Sequence, residues 1–171
     1  MLKFMKVKSI ILTILITIGF GVKAEENISN AQAVFIYNFL RHVNWPESGA
    51  SDKFVIGVFG NSNTYDQLVG FMKDRKIGTK SIVVLKLKTL EESAQCQLIF
   101  VPSSKKSKIA EIKNSIGIKP CLIVSESSGT TSNGSAIEFV IDNNRLKFHI
   151  DEANAKQQHL TISRALLDMS V

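Results

Sequence analysis

The sequence predicts an α/β fold: a single-domain mixed β-sheet flanked by helices on both faces, ending in a C-terminal antiparallel hairpin. Three observations carry that expectation. Phe54–Phe59, Leu98–Val101 and Cys121–Val124 are continuous apolar runs, the pattern of strands covered on both faces. Helical stretches with an apolar stripe separate them. Past residue 135 the rhythm changes: two runs flank a turn, and Leu146, Phe148 and Ile150 alternate with Lys147 and His149, which marks a hairpin with one face on a core.

Taken in order, Ser29-Asn30-Ala31-Gln32 fits a capping box and predicts a helix over about Asn30 to Val43. Val34, Phe35, Ile36, Tyr37, Phe39 and Leu40 make it apolar around most of its circumference. Such a helix is buried against a sheet or shared with another chain, so a homodimer is among the expected assemblies. Trp45-Pro46 ends it. The strand Phe54–Phe59 closes in Gly60-Asn61-Ser62, and a helix from Thr64 to Lys73 follows, with Tyr65, Leu68, Val69 and Met72 on one side. Ser81–Leu87 is a β-branched strand. Pro102 ends the strand Leu98–Val101, after which Ser103 or Ser104 caps a helix that turns Ile109, Ile112 and Ile116 inward. Cys121–Val124 is the fourth buried strand. Ala136–Ile141 and Leu146–Ile150 flank Asp142-Asn143-Asn144-Arg145, whose Asp and Asn residues suit a hairpin turn. Glu152–Gln158 and Ile162–Met169 read as two short helices. Ser127–Ser135, rich in Ser, Thr and Gly, reads as a mobile loop.

The address comes from the first residues. Lys3, Lys6 and Lys8 precede an uncharged apolar run, Ile10 to Val22, ending in Val22-Lys23-Ala24. That is the layout of a secretory signal peptide, cut after Ala24; the run is short for a membrane span, which needs about 20 apolar residues. Residues 1–24 are therefore expected to be a cleaved signal peptide and residues 25–171 one exported domain, in the bacterial periplasm. The mature chain keeps 17 of the 21 basic residues and all 15 acidic ones, so its net charge is +2 instead of +6. The only basic cluster, Lys105, Lys106 and Lys108, lacks interleaved aromatics and reads as a solvated helix face, which argues against a nucleic-acid partner.

Catalytic chemistry is hard to find. His42, His149 and His159 never fall at metal-ligand spacing, so no metal and no cofactor are expected. Ser125-Glu126-Ser127-Ser128-Gly129 follows a strand but lacks the glycine two residues before the serine of a nucleophile elbow. No general-base constellation stands out, and the reading is of a protein that is not an enzyme. Cys96 and Cys121 are the only cysteines, both at the entrance to strands joined by one crossover helix. In an oxidising compartment they are a disulfide candidate, a bridge that would stabilise by about 3.5 kcal/mol in the chain-entropy description. The alternative is two buried free thiols behaving as small hydrophobes.

Ala31 to Leu40 with Val43-Asn44-Trp45-Pro46, Phe54 to Gly60, Cys96 to Val101 and Pro120 to Ser125 follow one another in an order that resembles the YfiR-like family of periplasmic proteins. Leu146 to Asp151, Ala155 and Ser163-Arg164-Ala165-Leu166-Leu167 close the pattern. It covers residues 30 to 168. The resemblance implies a non-catalytic signalling regulator that binds and represses an inner-membrane diguanylate cyclase through its periplasmic part, with cysteine redox state affecting the activity. Three positions depart from the family: Gly57 where some members carry cysteine, Asp151 for the usual Asn, and Cys121 for the usual Leu. The family's disulfide pattern therefore does not transfer.

Asn38, Arg41 and Trp45 fall on one side of the opening helix and are the candidate partner-binding residues; the alternative is that Asn38 and Trp45 simply anchor the helix end to the core. The rival function is a small-molecule-binding periplasmic module. Its ligand would sit in the crevice at the carboxyl ends of the strands, near Gly60–Thr64 and Ser125–Gly134. A thiol oxidoreductase would need a Cys-x-x-Cys spacing that the chain lacks.

Overall fold

In a computed structural model of the chain, residues 26–46 and 51–171 are described; the expected signal peptide, residues 1–24, lies outside them. Helix α1 spans residues 26–42 of the described chain. There follow β1 (Val43–Asn44), β2 (Lys53–Phe59), α2 (Asn63–Met72), β3 (Lys76–Ile77), β4 (Lys80–Leu87) and β5 (Leu98–Val101). The chain continues through α3 (Ile109–Ile116), β6 (Leu122–Ser125), β7 (Ile137–Asp142), β8 (Arg145–Ile150), α4 (Glu152–Gln157), β9 (Thr161–Ile162) and α5 (Arg164–Leu167).

The main sheet has seven strands in the order β3-β4-β2-β5-β6-β7-β8. The five central strands are parallel, and β3 and β8 run antiparallel at the two edges. From β2 the chain steps outward to β4 and then crosses back to β5. Right-handed crossovers on opposite sides of β2 put their connections on opposite faces of the sheet. One face buries Phe54, Ile56, Val58, Leu98, Phe100, Leu122 and Val124 beneath Ala33, Ile36, Phe39 and Leu40 of α1 and Leu68 and Met72 of α2. The other buries Ile99, Val101 and Ile123 beneath Ile109, Ile112 and Ile116 of α3. The mixed sheet with helices on both faces and the closing hairpin are as the sequence predicts. In the hairpin turn Asn143 and Asn144 take φ of 48° and 58°, the left-handed pair that a two-residue turn of this hand requires.

Several local expectations give way to tertiary contacts. The Ser29–Gln32 capping box does not form: α1 already runs through Glu26, and Ser29 is buried within it. Gln32 turns its side chain to Thr64 and Glu126. In α2, Val69 is 44% exposed and Thr64 takes the inner position. Neither Ser103 nor Ser104 caps α3. Residues Ser103–Lys108 wind first as 3-10 turns, and the Ser103 N–H is taken by the Glu126 carboxylate at 2.7 Å. Val43 and Ile162 leave their expected helices and pair as β1 and β9 in a two-stranded antiparallel sheet, which fastens the end of α1 to the C-terminal segment. The short edge strand β3 is unannounced in the sequence.

The Ser127–Ser135 loop, expected to be mobile, is tied from both sides. Glu138 on β7 accepts from the N–H of Thr130 at 2.6 Å and of Thr131 at 3.0 Å, and Asn154 on α4 donates to the carbonyls of Thr131 and Ser135. Thr130 and Ser135 are partners in a buried network, a role that composition does not distinguish from solvation.

Candidate functional site

Helix α1 buries Ala33, Ile36, Phe39 and Leu40 against the sheet and turns Val34, Tyr37, Asn38 and Arg41 outward. These four stand at i, i+3, i+4 and i+7, the spacing of one helix face. Arg41 is exposed and Asn38 half-buried. The third candidate, Trp45, lies apart from that stripe. Its indole N–H donates to the Gln97 carbonyl at 3.1 Å, and its ring meets Phe54 edge-on at 5.0 Å. Trp45 also borders a cleft of about 570 Å³ shared with Leu40, Val43, Asn44 and Pro46.

Gln97 organises this end of the sheet, a role nothing in its sequence neighbourhood signals. Its carbonyl accepts from both Trp45 and the Leu122 N–H, and its side-chain oxygen accepts from the Val55 N–H at 2.7 Å. The amide side chain thus extends the ladder between β2 and β5 by one rung.

Cys96 and Cys121 are free thiols, 4% and 1% exposed, in the core beneath α3. Leu98 pairs with Leu122, so Cys96 stands level with residue 120, and the two cysteines are offset by one position instead of sharing a level. Burial pushes the Cys96 thiol up to about 12, with Glu92 adding to the effect. Burial, and then the neighbouring Cys96, raise Cys121 well above the ordinary thiol range. The thiolate is the nucleophile. At neutral pH the native protein is therefore expected to react with an aromatic disulfide reagent at least about tenfold more slowly than the denatured chain. Equal rates in a stopped-flow thiol titration would contradict the burial. Gly57 shares this site: a Cβ there would lie 2.7 Å from the Cys96 sulfur and 2.5 Å from Leu87 Cδ1. The sulfur fills the space that a side chain at position 57 would need.

The crevice at the carboxyl ends of the strands is crossed by polar side chains. Thr64 Oγ1 donates to Gln32 Oε1 at 2.7 Å, and Gln32 Nε2 donates to Glu126 Oε1 at 3.3 Å. The other Glu126 oxygen accepts from the Ser103 N–H, so its carboxylate joins α1 to the segments after β5 and β6, and Gln32 extends the link to α2. Cavities of about 350 and 580 Å³ flank Glu126. The smaller, bordered by Asn61 to Asn63 after β2 and Pro102 to Ser104 after β5, opens where the strand order reverses, the usual ligand crevice of α/β folds.

The histidines lie apart. His42 Nδ1 faces the Ser163 hydroxyl at 3.2 Å, His149 Nδ1 faces Glu138 at 3.4 Å, and His159 holds a left-handed turn at φ 56°. Among the described residues no three His, Cys, Asp or Glu side chains gather as a metal site, and no helix is long and apolar enough to cross a membrane.

No curated protein matches the chain. A family described as YfiR/HmsC-like matches residues 29–171, from the first turns of α1 to the last residue, so every strand of both sheets falls inside it. The family is regulatory and non-catalytic, and it is associated with periplasmic control of diguanylate cyclases. A match of that extent settles kinship for the whole described fold: this chain belongs to the YfiR/HmsC-like family.

Proposed function

We propose that the chain is an exported, non-catalytic regulator that binds the periplasmic part of an inner-membrane diguanylate cyclase and represses cyclic di-GMP synthesis. The observation that carries this reading is the family match over residues 29–171. Repression of this kind requires only a higher affinity for the inactive state of the cyclase, so the regulator needs a surface and no catalytic group. Asn38 and Arg41, with Trp45 at the helix end, are the contact residues in this reading. Cys96 and Cys121, unbridged in this structure, are the pair that oxidation would join in this reading, and residues 1–24 its cleaved leader.

Deleting the gene is expected to raise cellular cyclic di-GMP severalfold, on the order of the 5–150-fold range of allosteric couplings at its lower end. Complementation with the exported chain should reverse the rise. An unchanged level in a strain that expresses a candidate cyclase would overturn the proposal. A second reading, a small-molecule-binding module, is favoured by the cavities beside Glu126. It calls for a metabolite that raises the melting temperature of the purified protein, since a ligand at 100 times its Kd adds about 2.7 kcal/mol.

A further inference from the structure

We propose that the outer face shared by α1 and α2 is the docking surface for an acidic segment of the partner protein, with Arg75 as its carboxylate receptor. This rests on the reading that the chain acts by binding a membrane protein, and it specifies where and by what chemistry. The face consists of Val34, Tyr37, Asn38 and Arg41 on α1, Phe71 on α2, and Arg75 just beyond it.

Arg75 is held where a surface arginine would ordinarily wander. Its Nε donates to the Phe71 carbonyl at 2.6 Å. Its guanidinium carbon lies 4.3 Å from the Phe71 ring centre and 4.9 Å from that of Tyr37, and those rings meet edge-on at 6.0 Å. Capping the end of α2 accounts for the Nε bond. It does not account for the second ring, which comes from another helix. With Nε engaged and two rings fixing the plane, the Nη edge has no partner among the described residues. That edge is the half of the fork that takes a carboxylate through parallel hydrogen bonds. A partner meeting it has little rotamer freedom left to remove, which is how preorganisation favours binding.

Charge points to the sign of the partner. Arg41, one turn along α1 from Tyr37, also has no ion pair among the described residues. Lys73 and Lys76 flank Arg75 and are exposed; Asp74 is the one acid in that run, and it makes no ion pair with Arg75. Tyr and Arg beside an apolar side chain, Val34 at 40% exposure, match the composition of interface hot spots. The arginine already covers both rings, which leaves none for stacking a base, and Val34 alone is too little apolar surface to enter a bilayer. An acidic protein segment fits what remains.

The test uses the full exported chain in the deletion strain, and purified mature protein against the purified periplasmic part of the cyclase whose removal abolishes the cyclic di-GMP response. Arg75→Glu is expected to leave cyclic di-GMP at the deletion level with the amount of exported protein unchanged, its melting temperature falling only slightly with the lost cap and ring contacts. Arg75→Lys keeps the charge but loses the fork, and Arg41→Glu alters an exposed side chain with no partner to lose. Each should weaken direct binding by roughly tenfold. Raised salt should weaken the wild-type complex as well. Lys119→Glu, beyond α3, is the charge-matched control and should bind and repress normally. If Arg75→Lys and Arg41→Glu both bind as the wild type does, the docking surface is overturned while the proposed function stands. If the wild-type chain itself fails to restore repression, both fall together.

Discussion

Replacing Phe39 by alanine is expected to destabilise the protein by about 4 kcal/mol, within the range for emptying a buried aromatic site. Phe39 is fully buried, and its ring meets Phe148 edge-on at 5.0 Å, Phe139 at 5.8 Å and Phe35 at 6.3 Å. Phe35 in turn touches Phe139 and Phe148, and Phe100 touches Phe139. The cluster joins α1 to β5 and to the closing hairpin, so removing its central ring leaves a cavity that no single element can collapse to fill. For a domain of this size each kcal/mol shifts the melting temperature by roughly 2–4 °C, so a fall of about 8–16 °C is expected. Val34→Ala on the opposite side of the same helix, at 40% exposure, should change stability by no more than about 0.5 kcal/mol. Urea melts of the two variants check the contrast, and similar midpoints would mean that α1 does not dock as described.

Glu138→Ala is expected to cost about 3 kcal/mol, because it strands the backbone N–H groups of Thr130 and Thr131, which have no other acceptor among the described residues. The Glu138 carboxylate takes the N–H groups of Thr130 and Thr131 and the Thr130 hydroxyl, and Thr130 is itself 3% exposed. Burial by itself would raise this carboxyl. The N–H groups of Gly129, Thr130 and Thr131, with His149, outweigh it and hold the group below its ordinary value of 4.5. The sign of the pH dependence follows. A group depressed in the folded state contributes stability that is fully present above its unfolded value and lost as pH falls through the folded one. The wild type should therefore lose melting temperature as pH drops below about 4.5, and Glu138→Gln should flatten that part of the profile. Calorimetry across acid pH checks it; parallel profiles for the two proteins would assign the acid loss to other carboxylates. Hydrogen exchange at Thr130 and Thr131 should speed up in either variant, since the same carboxylate orders the loop.

The candidate site was only partly legible. Val34, Tyr37, Asn38 and Arg41 can be placed on one face by counting, because helix periodicity is a local property. Trp45 cannot, since its direction depends on Gln97 and Phe54, 52 and 9 residues further along the chain. Arg75 gave no signal at all: an arginine in a Lys-Asp-Arg-Lys run reads as solvated until α1 brings Tyr37 against it. Glu126 and Glu138 likewise looked like ordinary acids, and the fold gives each of them backbone N–H groups to receive.

Period and composition determined the longer strands β2 and β4 to β8, most of the helices, the class of fold and the hairpin with its two left-handed asparagines. Each follows from side chains within a few positions of one another, and the apolar runs are long enough to leave one burial pattern open to them. The C-terminal end of α1, the unformed Ser29–Gln32 box, the winding of Ser103–Lys108, the β1–β9 pair and the order of the 127–135 loop were decided by tertiary structure alone. In every one of these places a polar group or a short β-branched segment had a choice between a local partner and a distant one. At Gln32 and in the 127–135 loop the distant partner won because it lay in the dry interior, where an unmatched donor or acceptor costs most, whereas Ser103 turns to the Glu126 carboxylate at the surface.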